Sequence, residues 1–181
     1  MADQSAEAPN PALTVVIVGV TGDLTRRLLF PALHRLVAMG QLGADTRVVG
    51  YAIDDWTTAQ MVTHLHDGVG EFGDGVDEAV WPALAASMTY VKGDLSTEKI
   101  EALCALVTGP AIFYLALPPT LFAQAATALG AAGLAHQDGG WRRLVVEKPF
   151  GTSLDTAVTL QAELSAHWGE DQLFRIDHFL G

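Results

Sequence analysis

Short apolar, β-branched runs alternate with longer amphipathic stretches from residue 13 onward, and this alternation constrains the fold more than any other feature. LTVVIVG, TRVVGYAI, TYVKGD, AIFYLALPP, RRLVVEKPFG and QLFRIDHFLG read as strands. LTVVIVG is apolar without a period of two, as in a strand covered on both faces. After it, Leu24, Leu28, Leu29, Leu33, Leu36 and Val37 recur at helical spacing up to Gly40. Pro31 is expected to remove one backbone bond and bend that helix. TTAQMVTHLHDGV, DEAVWPALAASM, STEKIEALCALV (capped by Ser96), TLFAQAATALGAAG and SLDTAVTLQAELSAHW read as further helices. The order predicts an α/β fold: doubly wound and Rossmann-like, a predominantly parallel sheet with helices on both faces. Residues 1–12 are expected to form a flexible tail and residues 13–181 one dinucleotide-binding domain.

Charge narrows the partners. The 10 basic and 21 acidic residues leave a formal charge of -11, which repels nucleic acid and anionic membranes. No apolar run reaches the roughly 18 residues of a membrane span, and the first twelve residues lack the basic start of a signal peptide. Cys104 is the only cysteine, so an internal disulfide is impossible and a reducing, cytoplasmic setting is expected. Its place in IEALCALV reads as buried helix filler.

The turn GVTGDL follows the first strand. Gly19 and Gly22 there let the backbone approach a pyrophosphate, and the helix that follows offers free N–H groups and a positive dipole. The spacing departs from G-x-G-x-x-G, and a plain tight turn capped by Asp23 is the alternative. At the end of the second strand stand Ile53, Asp54 and Asp55. An acid there accepts from a ribose 2′-hydroxyl and repels a 2′-phosphate. The alternative is that these acids only start the next helix.

GVTGDLTRRLLFPAL, YLALPPTLF with VVEKPFG, and FRIDHFLG together resemble the glucose-6-phosphate dehydrogenase family over about Leu13 to Gly181. The resemblance implies coenzyme contacts from Gly19, Thr21, Gly22, Asp23 and Leu24 at the pyrophosphate, and from Ala116, Leu117 and Pro118 beside the nicotinamide. It implies that Glu147 and Lys148 border the coenzyme, that Lys148 also reaches the substrate, and that Lys148–Pro149 is cis. Asp177 would orient the family's catalytic histidine, and His178 would bind the sugar phosphate. The coenzyme is NADP or NAD: NADP is the family default, whereas Ile53 and Asp54 lean toward NAD. Leu28 and Phe179 stand where the family commonly has a basic residue and a tyrosine, which opens the choice of sugar phosphate.

The resemblance covers only the coenzyme-binding part. The catalytic histidine and the substrate and dimer domain are expected to lie beyond Gly181 and to be absent from this chain, which alone would be inactive. A homo-oligomer is expected only with that domain. The described alternatives are a non-catalytic dinucleotide- or partner-binding module, and a relative acting on another sugar phosphate. His64 and His66, two apart, splay on a helix, so no metal site is expected.

Overall fold

The computed structural model describes residues 12–43, 45–150 and 154–177. Six strands form one sheet: β1 (Thr14–Val18), β2 (Arg47–Ala52), β3 (Met88–Lys92), β4 (Ala111–Leu115), β5 (Arg142–Glu147) and β6 (Leu173–Ile176). Their order is β3-β2-β1-β4-β5-β6, and every pairing is parallel. The helices are α1 (Phe30–Ala38), α2 (Thr58–Phe72), α3 (Trp81–Ala86), α4 (Thr97–Ile100), α5 (Phe122–Ala131) and α6 (Leu154–Ser165). This is the doubly wound, Rossmann-like architecture expected from the alternation. The tail expected over residues 1–12 lies, except for Ala12, outside the described residues.

Alternating strand residues feed two separate cores. Val15, Ile17 and Val48 join Phe30, Leu33, Met61 and Leu65 under α1 and α2. Val16, Val18, Val49, Phe113, Leu115 and Leu144 join Phe122, Ala125, Leu129 and Trp168 on the opposite face. All five residues of β1 are buried, because the strand lies beneath both cores. That is why TVVIV needs no polar alternation.

The first helix differs from its expectation in an informative way. A π-helical turn, Thr25–Leu29, precedes α1, and the Phe30 N–H donates to the Thr25 carbonyl five residues back. Pro31 follows that turn inside a helical stretch that already runs from Asp23, so its missing N–H leaves a carbonyl of the preceding turn without its donor, beside the π-helical break in the bonding pattern. Phe30, Leu33 and His34 carry the buried face, while Leu28 and Leu36 point outward. The turn also packs closely on α2: a Cβ at Gly68 would stand 2.5 Å from the Arg26 carbonyl oxygen.

Two further expectations are corrected. The helix over STEKIEALCALV stops after Ile100 and tightens into a 3₁₀ turn, Glu101–Leu103. Ile100 and Leu103 point inward and Cys104 is exposed, its Sγ donating to the Ala132 carbonyl at 3.3 Å. Ser96 holds the cap position, but its hydroxyl makes no capping bond; the Asp94 carboxylate accepts the Ser96 N–H at 2.9 Å instead. Among the described residues, no helix is long and apolar enough to cross a membrane.

Candidate coenzyme site

A parallel sheet brings the carboxyl ends of all its strands to one edge. In this sheet the chain reverses direction between β1 and β4, and the loops leaving those two strands part to make a crevice. Gly19, directly after β1, has φ +92°, a region that favours glycine. Its N–H donates to the Tyr51 carbonyl of β2 at 2.7 Å. Its own carbonyl accepts from the Gly22 N–H at 3.0 Å and from Thr25 Oγ1 at 3.3 Å. A Cβ at Gly19 would stand 2.2 Å from the Ala116 carbonyl oxygen, so the turn lies against the exit of β4.

The resulting cleft encloses about 320 Å³. Gly19, Thr21 and Gly22 form one wall; Ala116, Leu117 and Pro118 form the other; Tyr51, Ile53, Asp54 and Leu95 close the end nearest β2. These are most of the residues expected at the coenzyme. The acids after β2 do not cap the next helix. Thr57 does, accepting the Gln60 N–H at 3.3 Å while its own N–H donates to Gln60 Oε1 at 2.8 Å. Asp55 pairs with Lys92 at 2.9 Å, and Asp54 accepts the Thr21 hydroxyl at 2.6 Å.

Other expected residues lie outside that cleft lining. Asp23 and Leu24 begin the helix, where first-turn amides lack intrahelical acceptors, and Asp23 pairs with Arg27 at 3.4 Å. Arg26 and Arg27 both stack on Phe72, at 5.2 and 4.9 Å from the ring centroid, and Arg26 binds Glu71 at 2.6 Å. Glu147 is buried at the end of β5, where its carboxylate accepts the Tyr114 hydroxyl. Lys148 follows, its bond to Pro149 is cis, and its Nζ donates to Asp177 Oδ2 after β6. His178 and Phe179 lie outside the described residues.

Two tyrosines escaped the sequence reading. The Tyr51 hydroxyl donates to the Asp94 carbonyl at 2.6 Å; burial first, then the Asp94 charge, pushes its pKa up to about 12. The Tyr90 hydroxyl donates to the carbonyls of Ala52 and Asp54, at 3.2 and 2.7 Å, and so fixes the end of β2. The only sequence signal was an aromatic residue inside each β-branched run. No three His, Cys, Asp or Glu residues gather among the described residues as a metal cage would require.

A glycine turn pressed against the opposite wall, a helix start behind it and an acid at the tip of β2 define a dinucleotide-binding domain. The donor set fits an NAD(P) pyrophosphate: Gly19 and Gly22 line the cleft without side chains, and the helix that starts at Asp23 behind them has first-turn amides lacking intrahelical acceptors. The family model for the NAD binding domain of glucose-6-phosphate dehydrogenase matches residues 16–181. This chain belongs to the glucose-6-phosphate dehydrogenase family.

Glucose-6-phosphate 1-dehydrogenase 1 of Mycobacterium tuberculosis is 38% identical over 170 residues, covering 92% of this chain and 35% of that protein. The crystal structure of glucose-6-phosphate 1-dehydrogenase from Mycobacterium avium superposes with a TM-score of 0.84 at 37% identity, over 94% of this chain and 37% of that one. A glucose-6-phosphate dehydrogenase in complex with glucose 6-phosphate gives the same TM-score, 0.84, at 31% identity and the same coverage. The chain thus spans little more than a third of the length of these relatives.

Proposed function

We propose that this chain is the coenzyme-binding portion of a glucose-6-phosphate dehydrogenase, serving the oxidation of C1 of glucose 6-phosphate in the oxidative pentose phosphate route of the cytoplasm. The observation that carries the reading is the glycine-lined cleft between the carboxyl ends of β1 and β4. Gly19, Thr21 and Gly22, with the first-turn amides of Asp23 and Leu24, would hold the pyrophosphate. Asp54 would meet the adenosine ribose, and Ala116, Leu117 and Pro118 would border the nicotinamide. That ring, when bound in its oxidised form, accepts the hydride from C1.

The chain's own groups at this edge would serve binding and proton handling. Lys148 is half-exposed, and its ammonium suits a sugar-phosphate oxygen once released from Asp177. Asp177 has the acceptor needed to orient an imidazole base and stabilise its cation. The described histidines lie elsewhere: His34, His64 and His66 belong to α1 and α2, while His136 and His167 follow the carboxyl ends of α5 and α6, at the opposite edge of the sheet. This placement favours a second reading, a dinucleotide-binding module that does not turn over by itself. The exposed Leu28 leaves room for a different sugar phosphate.

The experiment is a titration of the purified chain with NADH and NADPH, read by nicotinamide fluorescence, beside an absorbance assay with glucose 6-phosphate and NAD⁺ or NADP⁺. Saturable binding that is lost in Gly19→Ala supports the coenzyme reading; no binding of either nucleotide overturns it. Turnover near about 10 s⁻¹, abolished by Lys148→Ala, would reject the non-catalytic alternative.

A further inference from the structure

Thr21 and Asp54 lie 33 positions apart in sequence, one in the turn after β1 and the other just past β2, yet the Thr21 hydroxyl donates to Asp54 Oδ2 at 2.6 Å. Both residues line the cleft. The main chain of Asp54 is fixed independently: its carbonyl accepts the Tyr90 hydroxyl at 2.7 Å and the Trp56 N–H at 3.0 Å. The backbone sets where Asp54 stands, and Thr21 sets where its carboxylate points.

We propose that Thr21 is a positioning residue that locks the Asp54 carboxylate into the cleft, so that the site selects an adenosine ribose with a free 2′-hydroxyl over one carrying a 2′-phosphate. The proposal rests on the dinucleotide reading. An ionised carboxylate only accepts hydrogen bonds. A 2′-hydroxyl can donate to it; a 2′-phosphate dianion cannot, and it adds like charge at close range. The neighbouring cations are committed elsewhere: Lys92 to Asp55, Arg26 to Glu71 and Arg27 to Asp23. Ile53, which is 71% exposed at the mouth, supplies no charge. Without its donor, the exposed Asp54 side chain can rotate into solvent, where water screens the repulsion.

The test measures dissociation constants for AMP and 2′-phospho-AMP, and for NADH and NADPH, on the 181-residue chain. The wild type is expected to bind the unphosphorylated member of each pair at least about tenfold more tightly, the scale of one hydrogen bond to a charged group. Thr21→Val removes the hydroxyl at constant shape and is expected to bring that ratio to within about threefold, mainly by strengthening the 2′-phosphate ligands, while Thr21→Ser keeps the wild-type ratio. Asp54→Asn is expected to relax the ratio alone, and adding Thr21→Val to it should change nothing further. Circular-dichroism melts confirm that each variant is folded; if Thr21→Val does not fold, Thr21→Ala takes its place. An unchanged ratio in Thr21→Val overturns the proposal, as does equal weakening of both ligands, which would make Thr21 a direct phosphate contact. Failure of the wild type to bind any of the four ligands would instead bring down the dinucleotide reading, a result distinct from binding without discrimination.

Discussion

Gly19 meets two demands that no other residue satisfies. Its φ of +92° is costly for any side chain, and a Cβ would stand 2.2 Å from the Ala116 carbonyl oxygen. Gly19→Ala is expected to lower stability by roughly 1–3 kcal/mol and to weaken nucleotide binding more than tenfold, about the value of a displaced charge-assisted contact. Urea unfolding and the NADH titration separate the two effects. Tyr51 gives a pH signature. Its folded pKa of about 12 stands above the ordinary 10.0, so the folded state keeps its proton after the unfolded chain has released it. The Tyr51 contribution to stability is therefore complete below pH 10 and declines as pH rises toward 12. Unfolding midpoints measured from pH 9 upward should fall more steeply in the wild type than in Tyr51→Phe. His34 acts at the other end. Burial lowers its pKa against the opposing pull of Asp77, and its Nε2 accepts the Asp77 N–H at 3.2 Å. Its contribution is present above about 6.5, the unfolded value, and is lost as acid protonates the unfolded chain first. His34→Gln should flatten the loss of stability between neutral and mildly acidic pH.

At the scale of elements, the α2 start is the clearest case of a helix fixed by its own residues. Thr57 and Gln60 satisfy each other's amides, and Thr57→Ala is expected to cost about 0.5–2 kcal/mol in thermal or urea unfolding. Alternation of apolar runs placed every strand and the main helices correctly, because β-branched runs and helical stripes follow from burial on one face or two. Other features left no periodic trace. The π-helical turn depends on which carbonyl loses its donor to Pro31, a matter of hydrogen-bond register rather than of hydrophobic pattern. Cys104 faces outward because the helix tightens after Ile100, and a period of 3.6 no longer applies to the residues that follow. Within the candidate site, the glycine turn and the Ala116–Pro118 wall were legible as strand ends. The Thr21–Asp54 bond joins residues too distant in sequence for spacing to suggest it. Lys148 and Asp177 were each singled out in the sequence, but not as partners of each other, because only strand order brings the ends of β5 and β6 side by side.

Across the whole molecule, the helices cover the two sheet faces unequally. On the face of β4, β5 and β6 away from α5 and α6, Ile112, Trp141, Arg143, Val145 and Phe174 line a groove of about 300 Å³. Phe174 is 48% exposed, and Arg143 lies between the Trp141 and Phe174 rings, 5.6 and 5.9 Å from their centroids. An apolar patch of this kind promotes association. Sedimentation velocity of the chain is expected to show weak, concentration-dependent self-association that Phe174→Glu suppresses; a monomer at every concentration in both proteins would contradict it.

The two cores lie on opposite faces of the sheet, both of them reaching β1, and β1 is hydrogen-bonded on both sides, to β2 and to β4. Its amides can exchange with solvent only when packing on both faces gives way, whereas β3 and β6 at the sheet margins need lose only one neighbour. Deuterium should therefore enter β3 and β6 early and β1 last. The Gly19 turn hangs from the carboxyl end of β1, so the chain can loosen at its margins, over and over, while the turn proposed to hold the nucleotide phosphates stays in place.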